Sequence, residues 1–93
     1  MGNPPELTHL RAEMDDINHR LTDILHERAR LARKIGAIKH ATGMTISDPE
    51  REQAMLLEML RDAPTDGFSP ESLEVILRTV LEVSRAVVAS PRG

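Results

Sequence analysis

Residues 27–39 read Glu27-Arg28-Ala29-Arg30-Leu31-Ala32-Arg33-Lys34-Ile35-Gly36-Ala37-Ile38-Lys39, and the phase of this stretch decides the fold. Alone, it is a basic strip. In context, it is the second half of one long helix. Apolar residues recur at Leu7, Leu10, Met14, Ile17, Leu21 and Ile24, and again at Leu31, Ile35 and Ile38. Steps of three and four residues mark the seam of a packed helix. The seam skips one place, between Ile24 and Leu31, and Arg28 stands there. A guanidinium in an apolar seam is costly unless an anion meets it. Lys39 follows eleven residues later, about three turns on, so it points within ~20° of the same direction. Two cations on one inward row, with no acid in that row, ask for an anionic ligand. The plainer alternatives stay open here. Arg28 can snorkel and pair with an acid on another helix, and lysines are favourable near helix C-termini.

Working outward, Asn3-Pro4-Pro5-Glu6 reads as the helix start. Asn3 can cap, Pro4 suits the first helical position, and Glu6 stands where a capping-box acid would. The helix is expected to run to about Ala41, where Thr42-Gly43 supplies the stop and Gly43 a left-handed cap residue. That is ~38 residues, or about 57 Å. A compact chain of this size has a diameter of roughly 30 Å. Either the helix breaks at Gly36, or its first half packs on another chain. The seam continues on both sides of Gly36, which favours the second. Gly36 costs the helix about 1 kcal/mol relative to Ala. Close helix packing and room for a ligand beside Arg28 and Lys39 would each explain it.

Residues 42–47 form a loop, and Ser47-Asp48-Pro49-Glu50 is the second start signal. Helix two should run from about Pro49 to Arg61, with Met55, Leu56, Met59 and Leu60 as its apolar stripe. A turn-rich linker, Asp62 to Phe68, leads to Ser69-Pro70-Glu71 and helix three, which runs to about Ala89. Its stripe is Leu73, Ile76, Leu77, Val80, Leu81, Ser84, Val87 and Val88. The tail 90–93 should fray. The fold class is all-α: three helices, one long and two short.

The 93 residues bound one domain over 1–93. One Phe and no Tyr or Trp leave a modest core, so oligomerisation is expected. The absence of cysteine excludes disulfide and thiolate chemistry. No signal-peptide core or membrane-length apolar run occurs, so a cytoplasmic chain with no membrane partner is expected. A formal charge of −3 argues against a general nucleic-acid binder and leaves room only for a local basic patch, so no nucleic-acid partner is expected. His9, His19, His26 and His40 lack metal-ligand spacing, and no phosphate loop or nucleophile arrangement occurs; no metal or cofactor is expected.

Further candidates come from position. Arg11 borders the seam between Leu10 and Met14, ~25 Å along the helix from Arg28, so it could reach only a partner's pocket. Asp48, Arg51 and Glu52 open helix two, whose first-turn N–H groups can bind polar ligand atoms or simply be capped. Ser84 interrupts the stripe of helix three, where a serine often bonds back to its own helix. Arg85, Arg30, Arg33 and Lys34 read as solvated surface.

Taken together, these residues resemble the small all-helical chorismate mutases (type II). The matching positions are Leu10-Arg11, Ile17 to Leu21, Leu25, Glu27-Arg28, Ile35-Gly36, Lys39, Asp48-Pro49-Glu50-Arg51-Glu52 and Ser84, spread over about residues 5 to 88. The resemblance implies an intertwined homodimer with antiparallel long helices. It implies two pockets, each built from Arg28, Lys39, Asp48, Arg51, Glu52 and Ser84 of one chain and Arg11 of the other. The implied reaction is the pericyclic rearrangement of chorismate to prephenate, in aromatic amino acid biosynthesis. It needs no cofactor. Arg11 and Arg28 would hold the two carboxylates, Lys39 would meet the ether oxygen, and Glu52 with the Asp48 backbone would bind the ring hydroxyl. Lys39, Arg28 and Glu52 would be the catalytic set.

One position departs from the family pattern. Where a Gln usually offers a second donor to the ether oxygen, this chain has Val88. Losing such a donor typically costs ~3 kcal/mol. A weak mutase helped by a partner enzyme, a 4-amino-4-deoxychorismate mutase, or a shifted helix three would each accommodate it; an isochorismate pyruvate lyase is a further, less favoured alternative. The competing class is a helical dimerisation module, which explains the seam but not Arg28 within it.

Overall fold

The computed structural model describes residues 4–45, 48–62 and 64–89. The chain is all-α, with α1 over Pro5–Thr42, α2 over Pro49–Leu60 and α3 over Pro70–Ala89; no strand occurs among the described residues. Local chemistry sets each boundary. The Pro4 carbonyl accepts the Leu7 and Thr8 amides at 3.0 and 3.2 Å. Pro4 is thus the residue before α1, and Pro5 takes the first helical place expected of Pro4. Asn3, expected as the cap, lies outside the described residues, as do Ser47 and the tail 90–93.

α1 runs without a break through Gly36. It stops at Gly43, which has φ +69°, the left-handed region that a side chain would disfavour. The Met44 amide reaches back to the Lys39 carbonyl at 2.9 Å, and the Gly43 amide to that of His40 at 3.4 Å. This paired closure satisfies carbonyls that the helix end would leave open. Asp48 caps α2, its side chain accepting the Arg51 amide at 3.2 Å. Ser69 caps α3, its Oγ accepting the Ser72 amide at 3.2 Å.

The chain divides into two compact units, Met1–Leu31 and Ala32–Gly93. In the first, the apolar seam lies open: Leu7, Leu10, Met14, Ile17, Leu21 and Ile24 are 36% to 59% exposed. In the second, α2 packs on α3. Leu56 is 2% exposed and Leu81 is buried, as is Ala32 on α1. The stripes expected for helices two and three are thus buried at Leu56 and Leu81. Met59 and Ile76, predicted to share them, remain exposed.

Gly36 is buried in the second unit. A Cβ built on it would stand 2.5 Å from the Val88 carbonyl oxygen and 3.1 Å from the Val88 Cα. The two explanations left open for this glycine are therefore separated: its missing side chain lets the backbone of α3 lie against α1.

Candidate active site

Within Ala32–Gly93, the turn from α1 to α2 brings two expected site residues together. Lys39, half-buried in the last turn of α1, and Asp48, the α2 cap, line one open cavity of about 710 Å³ with Met44, Thr45 and Glu50. The Gly43 closure positions this wall, because it turns the chain about one helical turn after Lys39 and ties the Met44 amide back to the Lys39 carbonyl. Asp48 already accepts the Arg51 amide through Oδ1, and its carbonyl accepts the Glu52 amide at 3.0 Å. Asp48 therefore sets the direction of the first turn that carries Arg51 and Glu52. The Arg51 side chain is exposed.

Farther along the first turn of α2, Glu52 does not line that cavity; it is half-buried and accepts a hydrogen bond from Arg85 Nη1 through Oε2 at 3.1 Å. The partner was not evident beforehand. Arg85 is indeed on the surface, but it spans from α3 to α2. Its neighbour Ser84 is half-buried and donates its hydroxyl to the Val80 carbonyl at 2.6 Å. That is the back-bonding expected of a serine in an apolar stripe. The hydroxyl hydrogen is spent there.

Val88 is half-buried, and its backbone rests on Gly36, one turn before Lys39. A slide of α3 that would bring another side chain to this level is opposed by that contact. The adjoining Val87 and Ala89 offer no donor either.

Arg11 and Arg28 belong to the other unit, Met1–Leu31. Arg11 is exposed and Arg28 is half-buried. None of Arg28, Lys39 and Ser84 is without an interaction in the chain. Arg30 and Lys34 are exposed, as expected of solvated cations, but Arg33 is not. It is half-buried, and its Nε is buried with no hydrogen-bond partner. Arg33 stands one turn before Gly36, on the face of α1 that is closed over, and so is not solvated. Among the described residues, no group of His, Asp and Glu could hold a metal ion. No helix among them is long and apolar enough to cross a membrane.

The family model for chorismate mutase type II matches residues 10–88. The chain belongs to this family. It is 37% identical over 79 residues to a T-protein of Enterobacter agglomerans, covering 85% of this chain and 21% of that protein. It is 43% identical over 79 residues to a bifunctional chorismate mutase/prephenate dehydratase of Aquifex aeolicus, covering 82% of this chain and 22% of that protein. A chorismate mutase of Methanocaldococcus jannaschii is 35% identical over 48 residues, 52% of this chain and 48% of that protein. The chain spans about a fifth of the length of the first two curated relatives. For this type II domain, the matched segment includes every candidate site residue, from Arg11 to Val88.

Proposed function

We propose that this domain rearranges chorismate to prephenate in aromatic amino acid biosynthesis. The observation that carries the reading is the family match over residues 10–88, within which Lys39 and Asp48 line one cavity. The chemistry suits these residue types. In the rearrangement the ether C–O bond breaks as a C–C bond forms, and electrons move around a six-atom ring. No proton leaves and no covalent intermediate forms, so the protein's task is conformational and electrostatic. Arg28 and a partner's Arg11 take the two carboxylates and select the compact conformer. Lys39 meets the charge that grows on the ether oxygen, stabilising the transition state more than the ground state. Glu52 and the Asp48 backbone take the ring hydroxyl, with Arg51 and Ser84 completing the polar lining.

The same reading includes an intertwined homodimer. The open seam from Leu7 to Ile24 supports it. A row of large apolar side chains left in water would be an association surface in any case. A second copy, laid antiparallel, would cover the seam and bring Arg11 to the other pocket. A cytoplasmic setting accords with small-molecule biosynthesis.

A second reading rests on Val88. With no side-chain donor there, 4-amino-4-deoxychorismate is the alternative substrate, or chorismate turnover stays low until a partner enzyme assists. The test is incubation of the purified chain with chorismate, 4-amino-4-deoxychorismate and isochorismate separately, with products identified by mass. Prephenate from chorismate is expected. Failure to turn over all three, with and without a candidate partner enzyme, would sink the enzyme reading and leave the dimerisation module.

A further inference from the structure

The Arg85–Glu52 pair joins two helices through side chains 33 residues apart in sequence. Glu52 is 23% exposed and Arg85 47% exposed. A pair this open to water contributes little to stability. Its geometry matters more. A carboxylate has two oxygens, and here Oε2 is committed to the guanidinium. The contact thereby restrains the angle of the group on the first turn of α2.

The surroundings sharpen this. The two side chains share the wall of a cavity of about 370 Å³ between α2 and α3, together with Arg78 and Glu82. Arg78 is drawn to Glu74 on its own helix at 3.6 Å. Arg85 is thus the cation whose hydrogen bond to Glu52 the geometry defines. An approaching neutral hydroxyl needs only an acceptor. An approaching ammonium would also meet the positive charge of Arg85, which offsets the attraction of Glu52.

We propose that Arg85 is a positioning and specificity-determining residue: it fixes the Glu52 carboxylate as a single oriented acceptor and biases the site toward a neutral ring hydroxyl over a cationic amino group. This rests on the proposed role of Glu52 in binding the ring substituent. It assigns to the Arg85–Glu52 contact a selectivity opposite to the one suggested by Val88.

The experiment compares the wild-type chain, Arg85→Gln and Arg85→Lys, each checked for helical content by circular dichroism. For each, kcat and KM are measured on chorismate and on 4-amino-4-deoxychorismate; an analogue not turned over is measured as a competitive inhibitor. Arg85→Gln should raise KM for chorismate about three- to fivefold with little change in kcat. It should shift preference toward the amino compound by about the same factor, the scale of a partly exposed ion pair. Arg85→Lys should restore most of both. A wild-type chain inert toward chorismate overturns the functional reading and this proposal with it. An active wild type whose KM and preference are unchanged in Arg85→Gln overturns this proposal alone. So does a loss in Arg85→Gln that follows reduced helical content and is not restored by lysine, since that marks a structural role.

Discussion

Replacing Gly36 with alanine sets two effects of known sign against each other. In an exposed helix, Gly→Ala stabilises by about 1 kcal/mol, because alanine loses less backbone freedom on folding. At position 36 the new methyl would stand 2.5 Å from the Val88 carbonyl oxygen, 3.1 Å from its Cα and 3.2 Å from its carbonyl carbon. These are backbone atoms of α3, which cannot swing aside as the end of a side chain can. Reaching the 3.4 Å at which ordinary contact begins requires the helices to separate by about 0.9 Å. Overpacking of this kind costs about 1–3 kcal/mol. Separation would also loosen the packing around Val88, so the upper half of that range applies, and the net loss is about 1–2 kcal/mol. For a chain of this size that lowers Tm by roughly 5–10 °C. The assay is thermal unfolding by circular dichroism at one fixed protomer concentration, because any dimerisation would make Tm concentration-dependent. Ala37→Gly at the exposed neighbouring position calibrates the propensity term and should cost about 1 kcal/mol. A Tm for Gly36→Ala that equals or exceeds the wild type would show that α3 does not rest on Gly36, and the packing account of this glycine would be wrong.

Leu56→Ala removes the most buried side chain of the α2–α3 core; a loss of about 2–4 kcal/mol is expected in urea unfolding, and a change under 1 kcal/mol would contradict the packing. Val88→Gln should raise chorismate turnover by up to about 10²-fold by supplying a donor near the ether oxygen, and unchanged or lower turnover counts against the missing donor as the limitation. Arg28→Ala should abolish turnover whereas Arg30→Ala, on the exposed face, should not; equal effects would refute the phase argument. Mixing Arg11→Ala and Arg28→Ala chains should recover activity through one intact pocket per mixed dimer, and no recovery despite demonstrated subunit exchange would contradict a pocket shared between chains.

What could be read from residues alone follows from locality. Helix ends are set by groups within five residues of one another, so Gly43, Asp48-Pro49 and Ser69-Pro70 marked them to within a residue or so. Helical periodicity likewise gave the seam and the place of Arg28 in it, while the particular residues from Arg11 to Ser84 carried the family resemblance. The amino-acid order therefore determined the all-α class, the three helices and the set of candidate site residues.

The tertiary structure decided what depends on how separate helices meet. Gly36 had two explanations until the Val88 backbone was found against it. Arg33 read as solvated because its own helix gives no sign of the face that closes over its Nε. Arg85 read as surface, and it is, yet its guanidinium holds Glu52 across 33 residues of chain. No periodicity within one helix encodes such a contact. It arises from the rotation and depth at which α3 packs on α2, set jointly by Leu56 and Leu81 and by the stripes around them.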